Sequence, residues 1–152
     1  MTTPSTPLRT AFPRHIVLVL AAALALGLFV ALAYPLVDPD EGRNAQVAAE
    51  MAADLDVVIP HLAGVPYLDK PPALFALSAA AIRVFGPQPF AARLPALLCA
   101  LATLALLAYT SRRLASDAHA FRVTALTAAS PLFAVIGAYV IFDMPLTACV
   151  TA

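Results

Sequence analysis

Charge is scarce in this sequence. Nine basic and nine acidic side chains stand among 152 residues that are 62% hydrophobic and 12% charged, against roughly 25% charge in soluble domains. The two signs cancel, so there is no net field to gather nucleic acid, and partners have to be argued from individual sites. Cysteine is nearly missing as well. Cys99 and Cys149 both lie in apolar runs, where a thiol behaves as a small hydrophobe, and two such residues supply neither a disulfide framework nor metal-ligand spacing. There is no internal repeat, and the polar, Thr/Pro-containing first dozen residues are the one low-complexity stretch, read as a tail. No charge falls within residues 16–37, 94–110 or 123–142, which argues against an ion or solute pathway through them.

What the sequence does have is apolar length. Residues 16–37 run uncharged after Arg9, Arg14 and His15, and a membrane span needs about 20 such residues. This is the expected first span, with 1–15 a cytoplasmic tail. Ala31-Leu32-Ala33 has the small-x-small form of a signal-peptide cleavage site, but the run exceeds the roughly 7–15 residues of a signal core. Second and third spans are expected at 94–110 and 123–142. The connection 111–122 carries Arg112, Arg113, His119 and Arg122 and belongs on the cytoplasmic side with the N-terminus.

The apolar stretch 71–86 would be only about 24 Å long as a helix, against a hydrocarbon core of about 30 Å, and Arg83 interrupts it. Were it to cross, Arg112-Arg113 would share a side with the acidic loop after the first span. Parity therefore places it in the outer interface. Residues 143–152 then form an outer acid, Asp143, and the start of an incomplete fourth span, which reads as a chain cut from a longer bundle. Alanine recurs through the spans and permits close helix packing. The expected fold class is an all-α membrane protein.

The outer loop, residues 38–93, concentrates the acids: seven of nine lie between Asp38 and Lys70, with only Arg43 and Lys70 as bases there. In Asp38-Pro39-Asp40-Glu41-Gly42-Arg43, Asp40 and Arg43 are one helical turn apart on one face, at the membrane surface. Residues 44–54 read as a short helix with Val47 and Met51 on one face. Pro66-Tyr67-Leu68-Asp69-Lys70-Pro71-Pro72 sets an acid and a base before the interfacial helix, where the prolines favour extended backbone. A carboxylate here can accept a proton from a hydroxyl or hold a cation, while Arg and Lys can hold a phosphate. By spacing alone, a solvated acidic loop with Arg43 and Lys70 on lipid headgroups fits as well.

The ordered motifs decide between these readings. The two loop motifs, with Ala48-Ala49-Glu50-Met51 and Gly64-Val65 between them, are followed by Phe90-Ala91-Ala92-Arg93-Leu94-Pro95, Ser130-Pro131-Leu132-Phe133 and Asp143-Met144-Pro145-Leu146-Thr147. Together they resemble the N-terminal part of the membrane glycosyltransferases related to aminoarabinose transferase and protein O-mannosyltransferases. The resemblance implies the N-terminal portion of a multi-span C-type glycosyltransferase helical bundle, with juxtamembrane helices in its first outer loop. It implies transfer of a sugar from a polyprenyl-phosphate carrier to an extracytoplasmic acceptor, with lipid A, another glycan and protein hydroxyls all open. The membrane would be the bacterial inner membrane, the loop periplasmic or extracellular, and the partners membrane lipids, donor and acceptor.

By the same resemblance Asp40 is the first-loop catalytic aspartate and Asp143 a second acid near the active site. Arg43 and Lys70 bind the donor phosphate, and Glu41 supports the donor or the loop. Asp69 stands where many relatives have a glutamate that in some contributes to a metal site. No His/Cys set completes such a site here, so a divalent cation stays open. His61, where relatives often have a base, reads as an exposed loop residue. The competing expectation is a truncated, non-catalytic membrane protein that keeps the motifs by descent, or a subunit completed by another chain.

Overall fold

The computed structural model describes residues 12–54 and 58–152. Most of the expected polar tail, with Arg9, and the loop acid Asp56 lie outside the described residues. The remainder is seven helices and one short hairpin: a helical membrane protein in which two helices are long and apolar enough to cross a bilayer.

Helix α1 covers Arg14–Ala33 and stops at Tyr34, whose extended backbone is the conformation that the following Pro35 favours. Helix α2, Asp40–Asp54, opens with Asp40 and Glu41 in its first turn, where carboxylates suit the positive end of the helix dipole. It therefore starts four residues earlier than the 44–54 helix read from the sequence. Its inward face is Glu41, Asn44, Ala45, Val47, Ala48 and Met51, at the three- and four-residue steps of a helix stripe.

After α2 come β1 (His61–Leu62) and β2 (Val65–Pro66), antiparallel around Ala63 and Gly64. Both turn residues have positive φ, 54° and 76°, which is the geometry of a two-residue hairpin loop. The Glu50 carboxylate accepts hydrogen bonds from both of their N–H groups, at 2.8 and 3.2 Å, so α2 holds the turn in its unfavourable conformation.

Helix α3, Pro72–Phe85, begins with proline in its first turn and ends at Gly86 with φ 87°. Its 14 residues are about 21 Å of helix, and its buried stripe of Leu74, Phe75, Ser78, Ala79 and Ile82 packs on α2 and on the start of α4. Helix α4, Pro89–Leu114, is the central post. Antiparallel α1 lies along it, with Ile16 beside Ala108 at one end and Gly27 against Leu97 further along. A Cβ on Gly27 would stand 2.3 Å from the Leu97 Cδ1, so any side chain here meets the end of the Leu97 side chain.

The apolar run at 123–142 is not one helix. Ser116 caps α5, Asp117–Ala129, by accepting from the His119 N–H at 3.2 Å. At Ser130, extended before Pro131, the chain breaks into α6, Pro131–Gly137, bent by 70° from α5. The two helices together have the length and apolarity of a broken span or a re-entrant loop. Much of the basic connection at 111–122 is helical too, because α4 continues to Leu114 and α5 starts at Asp117. Helix α7, Asp143–Thr151, returns along α4, with Met144 between Ala96 and Ala100. Leu18, Leu26, Phe29, Leu32, Leu126 and Val150 are exposed, an outward apolar surface that suits lipid.

Candidate active site

Where α1 ends, the chain turns through Asp38-Pro39 into α2. The first turn of α2 sends neighbouring carboxylates in opposite directions. Asp40 points outward, its side chain 71% exposed, and pairs with the half-exposed Arg43 guanidinium one turn on. Glu41 points inward and is fully buried, unlike the surface position its place in the loop suggests. At Gly42 a Cβ would fall 2.1 Å from the Asp38 Oδ1, so any side chain there would displace the Asp38 carboxylate. Asp38, Gly42, Arg43 and Gln46, with Leu62 and Ala63 of the hairpin, line an open cleft of about 480 Å³ beside the Asp40–Arg43 pair.

Buried Glu41 meets Arg93 in a two-pronged ion pair, Arg93 Nε to Oε1 and Nη2 to Oε2, both at 2.7 Å. The rest of the guanidinium donates to carbonyl oxygens around the end of α1, including Tyr34 and Pro35 at 2.8 Å. Sequence reasoning placed Arg93 in a motif but gave it no role. The available signal was a lone charge at the edge of an apolar run, which deserves a partner by default.

Tyr67 likewise has surroundings that its place in the sequence does not reveal. It is half-buried, its hydroxyl donates to Asp69 Oδ2 at 3.3 Å, and its ring edge meets Phe75 at 6.1 Å between centroids. Burial raises its pKa; the Arg43 charge opposes that rise, while Asp69 and Asp40 add to it. The phenol thus lies in the electrostatic field of Asp40, Arg43 and Asp69 together. Phe75 in turn meets Phe142 at 5.1 Å, and the Lys70 ammonium stands 6.0 Å from the Phe142 ring centroid. Asp143 is the next residue, exposed at the start of α7.

The chain therefore brings Asp40 and Arg43 into direct contact, sets Asp69 on Tyr67, and links Lys70 to the segment bearing Asp143 through an aromatic row. Among the described residues Asp143 has no ion pair with the others, and no three His, Cys, Asp or Glu side chains gather as metal ligands. His61 is in β1, half-buried, and close enough to Glu50 to contribute to lowering that carboxyl's pKa. An exposed carboxylate that can take a proton, two cations and a phenol at the end of a membrane helix form a set suited to phosphate chemistry at a lipid surface.

Residues 69–152, more than half the chain, match the family model described as dolichyl-phosphate-mannose-protein mannosyltransferase. The chain belongs to this family. Among curated members of the wider group, the undecaprenyl phosphate-alpha-4-amino-4-deoxy-L-arabinose arabinosyl transferase of Edwardsiella ictaluri is 33% identical over 115 residues, covering 75% of this chain and 21% of the relative. Its counterpart from Aeromonas salmonicida is 38% identical over 76 residues, 45% of this chain and 14% of the relative. The chain thus spans about a fifth or less of the length of these two relatives.

The crystal structure of ArnT from Cupriavidus metallidurans in the apo state superposes with a TM-score of 0.80 at 30% identity, over 90% of this chain and 25% of that one. The same protein bound to undecaprenyl phosphate gives 0.77 at 28% identity over the same shares. The fold of this mannosyltransferase-family chain is accordingly that of the C-type membrane glycosyltransferases.

Proposed function

We propose that this chain carries the acid-bearing first outer loop of an integral membrane glycosyltransferase that moves a sugar from a polyprenyl-phosphate carrier to an extracytoplasmic acceptor. The observation that carries the reading is the exposed Asp40–Arg43 pair where α1 meets α2, with Tyr67 and Lys70 in the same neighbourhood. The relatives named as aminoarabinose transferases and the undecaprenyl phosphate bound to ArnT support a polyprenyl-phosphate donor. The membrane is then the bacterial inner membrane, with the loop on the periplasmic side.

In the proposed reaction Asp40 accepts the proton of the acceptor hydroxyl as its oxygen attacks the anomeric carbon. The bond from that carbon to the carrier phosphate breaks, and the phosphate leaves with its negative charge held by Arg43 and Lys70. Asp143, one residue past the Phe142 platform of Lys70, is the second acid of the site. Lipid A is the first acceptor to test, with other glycans and protein hydroxyls after it.

The test is transfer of labelled aminoarabinose from its undecaprenyl-phosphate donor by membranes expressing the complete open reading frame. Transfer that rises with donor concentration is expected. Arg43→Ala and Lys70→Ala should each raise the donor KM by about tenfold or more, the scale of one charge-assisted phosphate contact. Wild-type protein that is folded yet transfers to no acceptor class would overturn the reading.

A further inference from the structure

Both oxygens of Glu41 are fully engaged. Oε1 accepts from Arg93 Nε at 2.7 Å and from the Val140 N–H at 3.2 Å; Oε2 accepts from Arg93 Nη2 at 2.7 Å and from the Val37 N–H at 2.8 Å. Arg93 in turn donates to carbonyl groups at the end of α1, those of Ala31, Tyr34 and Pro35, and shares that of Val30 with the Tyr34 N–H. Asn44, one turn along α2, donates to the Val140 carbonyl at 2.8 Å. One buried node thereby joins the end of α1, the start of α2, the start of α4 and the segment between α6 and α7.

Its place along the chain is informative. Glu41 directly follows Asp40, and Val140 precedes Asp143 by three residues. A buried ion pair is a poor way to gain stability, since apolar side chains of the same volume commonly do as well or better. Apolar side chains could not satisfy the Val37 and Val140 N–H groups and the α1 carbonyls at one point. We infer that Glu41 and Arg93 are positioning residues that set the separation of the two candidate acids, Asp40 and Asp143. The inference rests on the glycosyltransferase reading above.

Two measurements test it on the complete open reading frame. The first is the distance distribution between spin labels at Gln46→Cys on α2 and Leu146→Cys on α7, both exposed, in a background where every native cysteine, Cys99 and Cys149 among them, is replaced by serine. A narrow distribution should broaden in Glu41→Gln and in Arg93→Lys, which keeps the charge but loses the fork. An unchanged distribution in both overturns the inference.

The second is kinetic. Glu41→Gln should lower kcat tenfold or more with the donor KM within twofold, and should cause no further loss of the residual rate in an Asp40→Asn background. A role confined to fold stability would instead remove the same active fraction in both backgrounds, and that multiplicative result, or a change in KM alone, overturns the inference. If the wild-type protein transfers nothing, the functional reading falls while the label distances still decide the positioning.

Discussion

Two consecutive backbone N–H groups, from Ala63 and Gly64, converge on the Glu50 carboxylate, and the result is a measurable pH dependence. The pKa of Glu50 is lowered from its ordinary 4.5, chiefly by the Ala63 N–H, with burial opposing and the Gly64 N–H, Gln46 and His61 reinforcing. A depressed carboxylate contributes stability that is complete above its unfolded value and is lost as the pH falls through the folded one. Hydrogen-exchange protection of the Ala63 and Gly64 amides is therefore expected to hold above about pH 5 and to decline below 4.5. Glu50→Gln should abolish that dependence. Ala63→Gly, which relieves an L-residue at positive φ, should stabilise the hairpin by about 1 kcal/mol. None of this could be read from the sequence. Glu50 appeared there only as a motif acid, 13 residues from its partner. The Asp40–Arg43 pair, by contrast, was legible because helical spacing alone puts positions three apart on one face.

At the scale of elements, α1 meets α4 where Gly27 faces the Leu97 side chain. The obstructing atom is a terminal methyl of Leu97, so Gly27→Ala requires only a side-chain adjustment, whereas Gly27→Leu has to push the helices apart. Overpacking of that kind costs about 1–3 kcal/mol. Thermal melts in detergent should show little change for Gly27→Ala, a clear loss for Gly27→Leu, and partial recovery on adding Leu97→Ala. The long apolar helices were visible as uncharged runs, since length and hydropathy suffice for that. The break between α5 and α6 was hidden in the same kind of run: hydropathy does not register a bend, and the signal was Ser130-Pro131, where proline disfavours a helical predecessor. The Glu41–Arg93 pair links positions 52 apart, a separation that local periodicity cannot bridge.

Across the whole molecule, α2, α3 and the hairpin gather around the start of α4, while α1, α4 and α5 meet at the opposite end near Ile16, Ala108 and Ala120. That opposite end carries Arg14, Arg112, Arg113 and Arg122, which favours the cytoplasmic side. With single cysteines in a background where every native cysteine, Cys99 and Cys149 among them, is replaced by serine, Gln46→Cys should react with an impermeant thiol reagent in cells with a permeabilised outer membrane. Ala115→Cys should react only after the inner membrane is opened, and the reverse pattern would invert the orientation. The same arrangement makes Arg93 sensitive to truncation, since its guanidinium is the partner of the buried Glu41. Arg93→Ala leaves the Glu41 charge buried without its partner, a change that typically costs about 3–5 kcal/mol, and it should reduce the folded fraction recovered from membranes.

The role proposed for Asp40 in sugar transfer from a polyprenyl-phosphate donor is decided by the turnover of Asp40→Asn in membranes expressing the complete open reading frame. Substituting the exposed carboxylate leaves the buried Glu41–Arg93 node intact. Folding should therefore be retained while kcat falls by about 10²–10⁴, the usual contribution of a general base. A folded Asp40→Asn protein that turns over at the wild-type rate would remove Asp40 from the reaction.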